Sequence, residues 1–351
     1  MNQLINKLEY VKVLVKRLFK HEVKQIKELN GAEDRNYHLV TTDSHEFVLK
    51  ITNSEESSEV GLLDAVNEFI LHLHKAGFEV TVPQLNTCGK YVSFETIPTP
   101  DHNSPDNNHE VYGIRLLAYI SGQLLRNVSF TPSLLTECGR VLAQMTIALQ
   151  TFESQVLRDG RQSAWSLLRV LDIRQHLDAV QSATDRAIVS AVLDEFERTV
   201  WRRLDSFEYR FIHGDYNEMN IIVDKVSDDR DYHVKGVIDF NDCQYAPRVF
   251  DLAIYLAYST LMFTAGPQIL APGFGLKGYL ELIKLNENEF NTCVKARLCQ
   301  SLVLCAQAYH QNPTNVYHLS SAKTGWPALR ALHECQPQDI LHKWLDIDRQ
   351  I

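Results

Sequence analysis

The sequence predicts an α+β protein: a small antiparallel β-sheet carrying one helix, followed by a larger, mainly α-helical region. Three observations predict it. Up to about residue 120, short runs of strand character dominate; beyond Ser121-Gly122 the apolar residues fall at three-or-four spacing; and strand character returns clearly only between residues 211 and 240, around a dense set of polar side chains. The expected division is residues 1–120, a sheet-rich lobe, and residues 121–351, a helical lobe.

In order along the chain, Leu4, Leu8, Val11, Val15 and Leu18 mark an amphipathic helix over residues 4–20. Val23 to Leu29 alternates as a strand, and Tyr37 to Val40 with Glu46 to Ile51 reads as a hairpin. Helical period resumes from Glu59 to Lys75 and stops at Gly77, after which Val80 to Leu85, Lys90 to Phe94 and Val111 to Ile120 read as strands. The stretch Ile97 to Glu110, with three prolines among Asp, Asn and His, has the composition of a loop within a hairpin. Thr131-Pro132-Ser133 opens a helix through Gln150, and Trp165 to Ser206 supplies two or more further helices. Phe211 to Val223 and Val234 to Phe240 are the strand-like exceptions, the second preceded by a polar hairpin at Ser227 to Asp231. Everything beyond Phe250 reads as helix.

Composition narrows the classes. The 351 residues carry 35 Lys and Arg against 44 Asp and Glu, a formal charge of −9, with 45% hydrophobic residues. The length fits about two or three domains of roughly 100–200 residues. An acidic balance argues against a nucleic-acid or lipid-surface binder. The seven cysteines contain no CxxC pair, so they read as reduced, mostly core thiols rather than a disulfide framework or zinc site. Lys7 and Glu9 interrupt any apolar run at the start, and the uncharged stretch Leu252 to Leu276 is broken by Gly266-Pro267 and Pro272-Gly273. A cytosolic protein that spans no membrane is expected, with a monomer as the default state.

The chemistry concentrates in Phe-Ile-His213-Gly-Asp215-Tyr-Asn-Glu218-Met-Asn220-Ile-Ile-Val and, after the next strand, Val-Ile-Asp239-Phe-Asn-Asp242. Phosphoryl transfer to an alcohol needs a carboxylate that positions the hydroxyl and accepts its proton, and oxygen ligands for a magnesium ion. Asp215 suits the first task; Asn220 and Asp239 suit the second. The H-x-D-x-x-x-x-N spacing matches the kinase catalytic loop, and Asp239 stands where kinases place a metal-binding Asp. Upstream, Lys50 ends the strand Phe-Val-Leu-Lys, where kinases carry the lysine that grips the nucleotide phosphates. Its acidic partner is expected on the following helix, where Asp64 and Glu68 share a face, with Glu68 preferred. The segment Asn30 to Asn36 holds one glycine instead of G-x-G-x-x-G, and no A-P-E segment follows Asp239, so the acceptor is expected to be a small molecule rather than a protein.

On these motifs the sequence resembles the aminoglycoside phosphotransferase and choline kinase superfamily, whose pattern is H-G-D-x-x-x-x-N followed by I-D-F/W-x-D. Within it the chain is most similar to the hydroxylysine kinases, through the first strand pair and through Ile114 to Gly122, Arg297 to Val303 and Ala322 to Trp326. The resemblance implies a protein-kinase-like bilobal fold, Mg2+ as cofactor, GTP or ATP as donor, and transfer to the 5-hydroxyl of 5-hydroxy-L-lysine, with GTP the family's donor. It implies Asp215 as catalytic base, Asn220 and Asp239 as metal ligands, and Lys50, Glu68, Asn36, Leu117 and Tyr119 as the nucleotide site, with Leu116 to Tyr119 bonding the base through its backbone. His213, Asp242 and Asp251 are expected to support the loop. Glu218 is a candidate partner for a substrate ammonium, and Arg248, Arg297 and Lys323 are unranked candidates for a substrate carboxylate; Trp326 is either core or pocket wall. Another amino alcohol such as homoserine, choline or ethanolamine, or a silent nucleotide-binding module, is the alternative. The joint presence of Lys50, Asp215, Asn220 and Asp239 speaks against the silent module.

Overall fold

Val11, Leu14, Val15 and Leu18 project from one face of helix α1 (Asn2–Phe19) and are buried, because their spacing returns every third or fourth residue to the same side. This computed structural model describes residues 2–29, 31, 34–96, 110–160, 163–225, 231–285, 290–312 and 322–349. Residues 1–121 and 122–351 form two compact units, taken here in turn.

In the first unit α1 packs on a sheet built from β1 (Val23–Leu29), β2 (Arg35–Thr41) and β3 (Glu46–Thr52), then, after α2 (Ser54–Ser58) and α3 (Leu62–Lys75), from β4 (Ser93–Thr96) and β5 (Val111–Ala118). The order is β1-β2-β3-β5-β4, with every neighbouring pair antiparallel. Alternation sorts the side chains. Tyr37, Leu39, Leu49, Ile51, Ile114 and Leu116 join the α1 core. The intervening positions Asn36, Lys50 and Arg115 stand opposite one another across β2, β3 and β5.

Three boundaries differ from the sequence reading. The helix expected from Glu59 starts at Leu62, because Gly61 adopts left-handed backbone (φ 78°) and separates it from α2. Val80 to Leu85 makes an isolated bridge at Pro83 to Leu117 rather than a strand, since Pro83 has no N–H to give a ladder. The next strand is β4 at 93–96, not 90–94. The expected loop lies outside the described residues over 97–109.

The second unit contains β6 (Gln123–Leu124), α4 (Pro132–Ala148), α5 (Gln155–Asp159), α6 (Ala183–Thr199), β7 (Tyr209–Ile212), β8 (Ile221–Lys225), β9 (Tyr232–Val237), β10 (Gln244–Pro247), α7 (Val249–Met262), α8 (Ala271–Leu280), α9 (Phe290–Gln311), α10 (Ala322–Glu334) and α11 (Pro337–Leu345). Thr131 caps α4 by accepting the Leu134 N–H at 3.2 Å, with Pro132 in the first turn. Residues 167–179, expected as α-helix, wind as 3₁₀ turns; the buried Leu167, Val170 and Ile173 recur every third residue, which is the 3₁₀ period. The polar hairpin before β9 lies largely outside the described residues, at 226–230.

Helices α4 and α8 meet at backbone distance. A Cβ added to Gly139 would stand 1.9 Å from the Gly275 carbonyl oxygen, and one added to Gly278 would stand 1.8 Å from that of Thr136. Cys138, Cys243, Cys293 and Cys299 are buried free thiols, while Cys88 is exposed and Cys305 and Cys335 are half-buried. Among the described residues no helix is long and apolar enough to cross a membrane.

Candidate active site

In the second unit β7 pairs with β10, and β8 pairs with β6 and β9, so the loop 213–220 and the turn 238–243 leave their strands side by side. The Ile238 N–H donates to the Asn220 carbonyl at 2.9 Å, which sets Asp239 beside Asn220. The loop itself is held from below. Asp251, in the first turn of α7, accepts the N–H groups of His213 (2.7 Å) and Gly214 (2.8 Å) on its two carboxylate oxygens. The His213 ring accepts the Asp215 N–H on Nδ1 at 3.2 Å and donates from Nε2 to the Ile238 carbonyl at 3.0 Å, so it spans both segments. Gly214 has φ 82°, and a Cβ there would lie 2.1 Å from the Asp242 carbonyl oxygen; glycine lets the loop and the turn interlock. Asp239 also holds left-handed backbone (φ 61°), a conformation Asp tolerates better than most residues.

Asp215 is gripped at both oxygens. Asn220 Nδ2 donates to its Oδ2 at 2.9 Å and to its main-chain carbonyl at 2.9 Å, and Arg297 Nη2 donates to its Oδ1 at 2.6 Å. Burial pushes the Asp215 carboxyl above its ordinary value, the Arg297 charge opposes this, and Asp239 adds to it. Arg297, on α9, is fully buried with its guanidinium 5.4 Å from the ring centres of both Trp165 and Tyr258. Its Nη1 donates to the Trp165 carbonyl (2.5 Å) and to Gln300 Oε1 (3.1 Å), while Nε is enclosed without an acceptor. Gln300 in turn donates to the carbonyls of Ala164 and Ser166, Ser166 donates to Gln244 Oε1, and Gln244 donates to the Asp242 carbonyl.

Two further carboxylates complete the site. Burial, then the charge of Asp215, pushes the Asp242 carboxyl up to about 6; burial pushes Glu218 up to about 7. Glu218 Oε2 is enclosed and has no hydrogen-bond partner. The structure thus brings His213, Asp215, Glu218, Asn220, Asp239, Asp242 and Asp251 into one site. Asn220 spends its Nδ2 on Asp215, which leaves Oδ1 as an acceptor alongside the Asp239 carboxylate. Hard oxygen donors of this kind fit a magnesium ion.

The expected nucleotide residues lie in the first unit. Asn36 and Lys50 are cross-strand neighbours, and Leu117 is on the same face of β5 as Arg115. Lys50 is buried and pairs with Asp34 at 3.1 Å; Asp34 also accepts from the backbone and side chain of Asn53. Sequence reasoning passed over Asp34 and looked to α3, where Asp64 and Glu68 are both exposed. The polar residue that α3 buries is Asn67, whose Oδ1 accepts from Arg115 at 3.4 Å. Three backbone groups of Leu116 to Tyr119 are already engaged within the unit: Leu116 O by Gln84, Ala118 N–H by Val82, and Tyr119 N–H by Glu46 at 3.3 Å. The Tyr119 ring stacks on His38 with centroids 4.0 Å apart.

Of the unranked cations, Arg297 is bound to Asp215, Arg248 pairs with Glu208 at 2.6 Å, and Lys323 is exposed on α10. Trp326 is half-buried on the same helix.

A base-like carboxylate beside an Asn and Asp pair at strand ends, in a chain with a five-stranded sheet before a helical region, defines a phosphotransferase for small-molecule hydroxyl groups. The chain belongs to the phosphotransferase enzyme family known as APH, whose signature matches residues 24–281. It is 31% identical to a hydroxylysine kinase of Bos taurus over 351 aligned positions, covering 95% of this chain and 91% of that one, and 30% identical to one of Xenopus laevis with the same coverage. Among solved structures, an amicoumacin kinase in complex with AMP-PNP and Ca2+ superposes with a TM-score of 0.69 at 17% identity, covering 97% of this chain and all of that one. A microcompartment-associated aminopropanol kinase superposes with a TM-score of 0.67 at 18% identity, covering 93% and 97%. These two show the same fold.

Proposed function

We propose that the chain transfers the γ-phosphoryl group of GTP or ATP to a hydroxyl of an amino acid or amino alcohol, 5-hydroxy-L-lysine first among them. The similarity to hydroxylysine kinases along nearly the whole chain supports the substrate, and the grip on Asp215 from Asn220 and Arg297 carries the chemistry. In this reading Asp215 aligns the substrate hydroxyl and takes its proton as the oxygen bonds to the γ-phosphorus and the bond to the leaving nucleoside diphosphate oxygen breaks. Asn220 and Asp239 would hold Mg2+, which supplies charge neutralisation on the phosphates. Lys50, released from Asp34, contacts those phosphates, with Asn36, Leu117 and Tyr119 nearby in the same unit. His213 and Asp251 hold the loop. The first unit, residues 1–121, serves the nucleotide, and residues 122–351 carry the catalytic loop and the substrate pocket.

The test is a nucleoside diphosphate release assay crossing GTP and ATP with 5-hydroxylysine, lysine, homoserine, choline, ethanolamine and 1-amino-2-propanol. Turnover with 5-hydroxylysine and none with lysine fixes the substrate and the attacked oxygen. Turnover confined to another alcohol discards 5-hydroxylysine and keeps the chemistry.

A further inference from the structure

The loop that carries Asp215 also carries a carboxylate that a backbone hydrogen bond reaches but whose second oxygen has nothing to hold. Glu218 Oε2 is shut away from solvent and accepts no hydrogen bond. Two guanidiniums act on it electrostatically without bonding its Oε2: Arg126 Nη1 points to Met219 Sδ at 2.9 Å, and Arg297 Nη2 donates to Asp215 at 2.6 Å. Its backbone is fixed, since the Glu218 carbonyl accepts the Arg126 N–H at 3.0 Å and Asn217 Oδ1 accepts the Met219 N–H at 2.8 Å. An enclosed carboxylate oxygen without a donor is costly and calls for a cation that arrives with a ligand. The surrounding charge agrees: Asp215, Glu218, Asp239 and Asp242 outnumber the two arginines.

We infer that Glu218 receives an ammonium group that the substrate carries close to the phosphorylated hydroxyl, so that the enzyme selects amino alcohols by that ammonium. The inference rests on the kinase reading above and narrows it. Glu218 and Asp215 are three residues apart in one loop, near enough for the charge of Asp215 to act on the Glu218 carboxyl, so a group held by one lies close to a group held by the other. The 6-ammonium of 5-hydroxylysine stands beside its hydroxyl in the required way, as does the amine of 1-amino-2-propanol.

The experiment compares kcat/KM for 5-hydroxylysine and for 2-amino-5-hydroxyhexanoate, the same chain with hydrogen in place of the terminal ammonium, in wild type, Glu218→Gln and Glu218→Asp. Wild type is expected to prefer the ammonium compound by about 100-fold, the scale of a desolvated charge pair. Glu218→Gln is expected to lose that preference through the first substrate alone, leaving the second within about threefold, and Glu218→Asp to restore part of it. A purely structural role would lower both substrates equally, and that result, or a wild type indifferent to the ammonium, overturns the inference. If 5-hydroxylysine is refused, 1-amino-2-propanol against 2-propanol poses the same question, so the inference can stand while the substrate reading falls. Turnover of none of the four overturns both. Should Glu218→Gln fail to fold, by its tryptophan fluorescence, Glu218→Asp and the wild-type preference carry the test.

Discussion

Replacing Asp251 tests whether the catalytic loop is held from α7. Asp251 is buried, 3% exposed, and takes two N–H groups at 2.7 and 2.8 Å. Hydrogen bonds to a charged group contribute about 1.5–3 kcal/mol each, so Asp251→Ala removes roughly 3–6 kcal/mol of interaction. Burial pushes the Asp251 carboxyl up, which means the charge itself is costly to keep inside, and its removal offsets part of the loss. A net destabilisation of about 3 kcal/mol is expected. Asp251→Asn keeps one acceptor and turns an amide N–H toward the other donor, for roughly half that effect. The readout is urea unfolding followed by tryptophan fluorescence. All four tryptophans, Trp165, Trp201, Trp326 and Trp344, lie in the 122–351 unit, so the signal reports that unit alone. With a slope of about 1–3 kcal/mol per molar urea, Asp251→Ala should lower the midpoint by about 1–3 M at unchanged slope. Turnover should fall by about 100-fold or more through misplacement of Asp215. A midpoint within about 0.3 M of wild type, with full activity, would refute the reasoning.

Asp215→Asn should lower kcat by roughly 10²–10⁴ while leaving nucleotide affinity nearly intact, measured by steady-state kinetics beside nucleotide titration. Asp239→Ala should abolish the Mg2+-dependent part of nucleotide affinity; equal affinity with and without magnesium in wild type would remove that assignment. The bidentate Arg330 guanidinium, 2.6 and 2.7 Å away, holds the Asp185 carboxyl below its ordinary value. A depressed acid contributes stability above its unfolded pKa, near 4, and loses it as pH falls toward the folded value. Arg330→Ala should therefore cost about 1 kcal/mol at pH 7, Arg330 being exposed, and should flatten the acid side of the stability curve; an unchanged slope between pH 5 and 2 would exclude the pair as its source.

The fold was legible because its information is local. Alternation at Tyr37 to Val40 and Glu46 to Ile51, and helical period in α1, α4 and the helices after Phe250, need no knowledge of partners. The loop at 213–220 was legible for a related reason, since polar residues crowded between Phe211-Ile212 and Ile221-Ile222 have no packing use. What stayed hidden depends on distance. Arg297 reaches Asp215 across 82 residues, and its role depends on how α9 lies against the segment 164–166, which no periodicity states. Asp34 reaches Lys50 from the β1–β2 connection, where the sequence sets two acids side by side, Glu33 and Asp34. The 3₁₀ stretch at 167–179 carries apolar residues that satisfy either helical period until packing chooses three.

The glycine contact between α4 and α8 has a reach beyond those helices. Cys138, next to Gly139, offers its carbonyl to the Tyr216 hydroxyl at 3.0 Å, and Leu135 offers its own to Tyr255 at 2.6 Å. Tyr216 follows Asp215 directly. The gap between two helices is thereby transmitted, through one phenol ring, to Asp215, the residue proposed to align the substrate hydroxyl. A methyl group at Gly139 or Gly278 would act as a shim, displacing the Asp215 carboxylate from a position that no change within the loop itself had disturbed.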